Sequence, residues 1–166
     1  GIFADYSNTD HWGADYGHIT EKAGARFLRL CRENGIPARA IGDPYDSEPM
    51  GAQRVTTLSD LLDDVEATDQ GVLSETRDEP GLTYRTRVAR YSQPVALALT
   101  KANLTPGFRS TADDQTVHND VTVTRRRGSS AHFTDEGHVV RHRRHEDTPT
   151  VDTETDLVLA DHAAWR

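Results

Sequence analysis

Apolar positions along the chain recur first with a helical period. In residues 20–34, Ala23, Phe27, Leu30, Cys31 and Asn34 fall near one face, the spacing of a helix lying on a core. Thr20 stands where a hydroxyl can cap free amides, and Glu21 suits the positive end of the dipole. Asn34-Gly35 supplies a left-handed stop, and Pro37 prevents resumption. Residues 38–41 read as a short strand, closed by Gly42-Asp43-Pro44. A second helix is predicted over 58–68, with Thr57 as N-cap and one stripe of Leu58, Leu61, Leu62 and Val65. Gly71 ends it. Residues 72–76 and 82–87 flank a Pro80-Gly81 turn and predict a β-hairpin. In its second arm Leu82, Tyr84 and Thr86 share one face.

From Pro94 onward the period falls to two. Val95, Leu97 and Leu99 alternate with Ala96, Ala98 and Thr100, which predicts a half-buried strand. Pro106-Gly107 breaks the chain, residues 121–124 are strand material, and a turn at Gly128 lets 131–134 return beside them. Leu157, Ala160 and Ala164 predict a final helix within 156–165. Residues 1–18 hold Tyr6, Trp12 and Tyr16 with no period. The expected fold class is α+β: two early helices, a hairpin, then a mostly antiparallel, strand-rich second half. The expected organisation is an N-terminal arm (1–19), an α+β region (20–91) and a strand-rich region (92–166). The abrupt ends, Gly1-Ile2-Phe3 and Trp165-Arg166, read as those of a piece of a longer chain.

Composition narrows the function classes. Apolar residues make up 35% of the 166, and exchanging the five tyrosines for the 12 glycines still leaves the share under the usual ~45–50%. One large core is not expected, and neighbouring subunits would supply part of the stability. No apolar run approaches the roughly 18 residues of a membrane-spanning helix, so no membrane partner is expected. A single cysteine excludes an intramolecular disulfide framework and a cysteine-based zinc site. A net charge of −8 argues against general affinity for nucleic acid. The charge is also segregated. Residues 43–80 carry 11 acidic and 2 basic side chains, while 125–145 carry 6 Arg against Asp135 and Glu136. Solvated faces are one reading, and head-to-tail pairing of an acidic with a basic face in an assembly is the sharper one.

Local chemistry points away from catalysis. His132, His138, His142 and His145 cluster in sequence, and the His138–His142 spacing would put two imidazoles on one helix face. Val139-Val140 favours a strand instead, and the interleaved Arg141, Arg143 and Arg144 would repel a dication. His11 and His18 beside Trp12 and Tyr16 show no carboxylate–histidine pattern. Arg125-Arg126-Arg127 with Phe133 nearby offers a phosphate patch, but reads better as a solvated turn. Asp63-Asp64 and Asp113-Asp114 are chain neighbours whose side chains diverge, so paired acid/base work is not supported. Ser129-Ser130 sits in no nucleophile elbow, Cys31 lies on an apolar helix face, and no glycine-rich phosphate loop occurs. No catalytic, cofactor-binding or metal-binding residue is assigned, and no cofactor is expected.

Seven stretches carry a family likeness. Met50-Gly51-Ala52-Gln53 with Thr57-Leu58-Ser59-Asp60-Leu61-Leu62 leads into Asp69-Gln70-Gly71-Val72-Leu73-Ser74-Glu75 and Gly81-Leu82-Thr83-Tyr84-Arg85-Thr86-Arg87. Asp114-Gln115-Thr116-Val117-His118-Asn119-Asp120-Val121-Thr122-Val123-Thr124-Arg125 and Asp152-Thr153-Glu154-Thr155-Asp156, with Ala163-Ala164-Trp165, follow. Together they resemble minor tail proteins of actinobacterial siphophages and their prophage relatives, over most of residues 20–166. Ser74 departs from the large apolar residue usual there, and the family chain continues beyond the Trp. The resemblance implies a structural subunit of a tail tip or baseplate, similar in idea to ring-forming hub proteins. It further implies other tail proteins and copies of itself as partners. The location it implies is the virion tail, or the bacterial cytoplasm for a prophage-encoded chain. Two other classes stay open: a metal-dependent hydrolase using His138, His142 and His145, and a carbohydrate- or receptor-binding module presenting Trp12 and Tyr16.

Overall fold

Helix α1 (Ala23–Glu33) buries Ala23, Phe27, Leu30 and Cys31 as its stripe requires. These positions come from a computed structural model, which describes residues 20–100, 103 and 117–165. The N-terminal arm, Asp113-Asp114 and the break at Pro106-Gly107 lie outside the described residues. Thr20 does not cap α1. Its φ is +68°, the N-cap position is Lys22, and the first amides are met from elsewhere in the chain. Ala23 N donates to the Glu48 carbonyl (2.9 Å) and Gly24 N to Ser47 Oγ (2.9 Å). Gly24 permits this approach, since a Cβ there would sit 2.7 Å from Pro44 Cα. At the other end Gly35 takes φ +66°, the expected left-handed stop.

Strand β1 (Ala38–Ile41) is followed by α2 (Leu58–Asp69), whose N-cap Thr57 accepts from Asp60 N at 3.2 Å. Its buried stripe is Leu61, Leu62 and Val65, with Leu58 at the margin. The left-handed residue that ends α2 is Gln70 (φ 55°), not Gly71. Gly71 serves packing: a Cβ there would lie 2.5 Å from Tyr84 Cζ. Strands β2 (Val72–Glu75) and β3 (Leu82–Arg85) form the antiparallel hairpin, with Ser74 opposite Thr83. The chain adds β1 in parallel along β3, giving the order β1-β3-β2. Buried Tyr84 joins the layers, its ring 5.3 Å from Phe27 and its hydroxyl donating to Asp69 Oδ2 at 2.8 Å. The second hairpin arm stops at Arg85. Thr86, buried, accepts from Ala89 N and starts a short helix, α3 (Arg87–Tyr91).

The strand expected over 95–100 does not form. Residues 93–100 have no regular structure, and Val95, Leu97 and Leu99 are 84, 73 and 60% exposed. Alternation marks a chain able to pair, but a ladder needs a neighbour, and no described strand offers one.

The second half builds its own core from Val121, Val123, Val151, Leu159 and Ala163. Strands β4 (Asp120–Arg125) and β5 (Ser130–Thr134) are antiparallel, joined by a turn in which Arg127 takes φ +60°. Helix α4 (Glu136–His142) follows, then β6 (Glu146–Asp147) and β7 (Thr150–Val151), both parallel to β4. The sheet is therefore mixed, with one antiparallel pairing and two short parallel ones. Helix α5 (Leu159–Trp165) covers β4 and β5. Its inward face is Leu159, His162 and Ala163, whereas Leu157, Ala160 and Ala164 point out. Steps of three and four suit two adjacent stripes, and the sheet selects the one carrying Leu159. The fold class is α+β.

Candidate functional site

The two halves meet through backbone and charge. Gly51 N donates to the Asp152 carbonyl (2.7 Å), Glu154 N to the Pro49 carbonyl (3.0 Å), and Asp152 N to Thr68 Oγ1 (3.1 Å). Around this seam runs a chain of alternating ions. Arg29 binds Glu33 and Glu21, and Glu21 also accepts from Arg26 Nε at 3.1 Å. Arg26, only 1% exposed, reaches the Gly51 carbonyl (2.7 Å) and Asp152 (3.6 Å). Arg126 of the second half lies 3.2 Å from Asp64 and 3.9 Å from Asp152, and Asp64 also holds Arg54 at 2.6 Å. Burial opposes charge throughout. It pushes the Arg26 guanidinium down against Glu21 and Asp152, and pushes the Asp152 carboxyl up against Arg26 and Arg126. Burial also works against the Glu21 carboxylate, yet Arg29 and Arg26 hold it below the usual range.

This arrangement changes the meaning of the charge segregation. Arg126, from the basic stretch, meets Asp64, from the acidic one, inside a single chain. Arg125 pairs with Asp156, and Arg144 with Asp120 at 2.6 Å. Part of the charge that the sequence offers to a neighbour is thus met at home. Arg126→Glu is expected to destabilise the chain by roughly 1–2 kcal/mol, up to ~1 from the lost pairs and the rest from repulsion. A urea titration checks this, and an unchanged midpoint would place Arg126 outside the seam.

The Arg125 hydrogen bond, with a second from Ser129 N, holds the Asp156 carboxyl down at about 2, against an ordinary 3.8. A carboxylate depressed in the folded state stabilises above its unfolded value, and that contribution fades as pH falls from 3.8 through about 2. A carbon-detected NMR titration should put the Asp156 midpoint near 2, and Arg125→Ala should return it towards 3.8.

The histidines separate. His138 and His142 do lie on a helix, correcting the strand expected at Val139-Val140, and their rings stack at 4.3 Å. Asp135 caps that helix by accepting from His138 N at 2.9 Å, and this outweighs the β-branched pair. His138 Nδ1 faces Asn119 Nδ2 at 3.1 Å, and His145 Nε2 faces the His142 carbonyl at 3.0 Å. His132 Nε2 meets Asp120 Oδ1 at 2.5 Å, and Thr134 Oγ1 approaches the same nitrogen at 3.1 Å. A proton relay needs both ring nitrogens, so Asp120, His132 and Thr134 are not one. His132 first, then Arg144, keeps the Asp120 carboxyl below its ordinary range against burial. Among the described residues no three His, Cys, Asp or Glu side chains gather as a metal-holding group. No described helix is long and apolar enough to cross a membrane. Cys31 is buried, and burial pushes its thiol up to about 11.

What stands out instead is apolar surface. Beyond Val95, Leu97 and Leu99, Leu157 is 88% and Val140 84% exposed. Tyr91 and Trp165, both about half exposed, meet edge-on at 4.8 Å. Trp12 and Tyr16 lie outside the described residues.

No family model matches the chain, and no curated protein matches it. Among solved structures, it is similar to the prophage tail protein gp18 from Listeria monocytogenes EGD-e, with a TM-score of 0.43 and 13% identity. The likeness covers 79% of this chain, which spans 44% of that one.

Proposed function

We propose that the chain is a structural subunit of a phage or phage-like tail, acting by packing against neighbours rather than by catalysis. The observation that carries this reading is the family likeness quoted above, whose residues fall on α2, the β2–β3 hairpin and β4, the scaffold of both cores. Outward Val95, Leu97, Leu99, Val140 and Leu157 support it, since large apolar side chains in water mark surfaces that other proteins cover. The finer reading is a minor tail protein at the tail tip or baseplate, self-associating, of actinobacterial phage or prophage origin. Its place is the virion tail, or the bacterial cytoplasm for a prophage-encoded chain. Immunogold labelling of particles purified from the source strain tests it. Label at the tail tip is the expected result, and particles that lack the protein would overturn it.

A further inference from the structure

Residues 94–100, Pro-Val-Ala-Leu-Ala-Leu-Thr, form an exposed segment with strand alternation and no strand partner among the described residues. They are uncharged, and no charge intervenes between Arg90 and Lys101. Pro94 stands at the head, the one place in a strand where a missing N–H does no harm. The segment leaves α3 at a fixed point, because Tyr91 is held against Trp165.

Each sheet ends in a short edge. The β1 edge carries exposed Arg39. The β5 edge runs from exposed Arg127 to exposed Asp135 and Glu136, so its ends carry both signs, and the opposite edge of that sheet is split into the two-residue strands β6 and β7, too short to pair with seven residues. The β2 edge differs. It is flanked by Glu66, Glu75, Asp78 and Glu79 against Arg77 alone. Thr76 N donates to the Gly81 carbonyl, so Ser74 and Val72 bond β3, while Leu73 and Glu75 direct their backbone groups away from it. Leu73 N–H is covered by Glu66 Oε1 at 3.0 Å, and no described strand pairs with the far side of β2.

We propose that residues 94–100 of one copy add as a fourth strand to the β2 edge of a second copy of this chain. The inference rests on the packing role proposed above and names the surface that performs it. Val95, Leu97 and Leu99 would then extend the face on which Leu73 and Tyr84 already line the first core. The flanking cations would meet the acidic hairpin. Donor and acceptor are different surfaces, so the contact is head-to-tail and propagates towards a ring or a filament.

The test is sedimentation of the whole chain over a range of concentrations, with hydrogen exchange on the same samples. Association should grow with concentration, and amides within 95–99 should slow together with that of Glu75, which β3 leaves open. Leu97→Lys with Leu99→Lys, at exposed positions, should weaken association about tenfold or more, the loss of one ordinary interface anchor, with an unchanged melting temperature. Glu75→Pro removes an N–H that β3 does not use and should do the same. A monomer at every concentration, association that ignores both variants, or protection at β5 in place of β2 would each overturn the pairing. Association that survives both variants leaves the tail-subunit reading standing. Particles without the protein would defeat that reading and not the strand.

Discussion

Leu61→Asp is expected to abolish cooperative folding of the first core. Leu61 is 2% exposed on α2, facing α1, where the core residues are Phe27, Leu30 and Cys31. Removing the leucine forfeits about 2–5 kcal/mol. Leaving an unpaired carboxylate in its place costs several more, against a total of ~5–15 for a whole domain. Circular dichroism on heating should show no transition, or one lowered by tens of degrees. Asp63→Ala, on the exposed side of the same helix, serves as the control and should stay within about 0.5 kcal/mol of the parent. A normal melt for Leu61→Asp would show that α2 does not pack as described.

Arg26→Ala should be nearly as damaging, at about 3–5 kcal/mol, because it strands a buried charge. Asp152 loses its most buried cation, and the Gly51 carbonyl loses its donor. The deficit also depends on pH. Burial already raises the Asp152 carboxyl in the folded state, and removing Arg26 raises it further. A carboxyl raised on folding favours the folded state below its unfolded value of 3.8, and that support is lost as pH climbs through the folded value. The loss should therefore be full at neutral pH and shrink as the pH falls towards 4. Replacing the pair together, Arg26→Met with Asp152→Leu, should recover most of the stability, since apolar pairs of similar volume replace buried ions at little net cost. Urea midpoints at two pH values measure all three effects. A single variant as stable as the parent would remove the seam from the account of how the halves are joined.

Much of the local structure was legible because it depends on neighbours in sequence. The stripes of α1 and α2, the Thr57 cap, the left-handed Gly35 and the two hairpins follow from spacing and turn chemistry, which act over a few residues. The ion chain at the seam leaves one mark in the sequence. Arg26 sits three residues after Ala23 and one before Phe27, a charge inside an apolar stripe, and such a residue survives there only with a buried partner. Its partner Asp152 is too distant in sequence for any spacing rule to link them. The same distance hid the parallel pairing of β1 with β3, and the amides that Ser47 and Glu48 satisfy at the start of α1.

By itself the sequence determined the α+β class, the helices α1 and α2 and the two hairpins, because side-chain periodicity and capping are local forces. Tertiary structure alone decided three things. It chose Leu159 over Leu157 as the inward face of α5, it turned Arg126 onto Asp64 within one chain, and it left Val95, Leu97 and Leu99 in water. Each depends on which surfaces meet. A strand pattern states only that a chain can pair, and a charge only that it attracts its opposite. The partner is selected by the sum of burial and pairing over the whole fold.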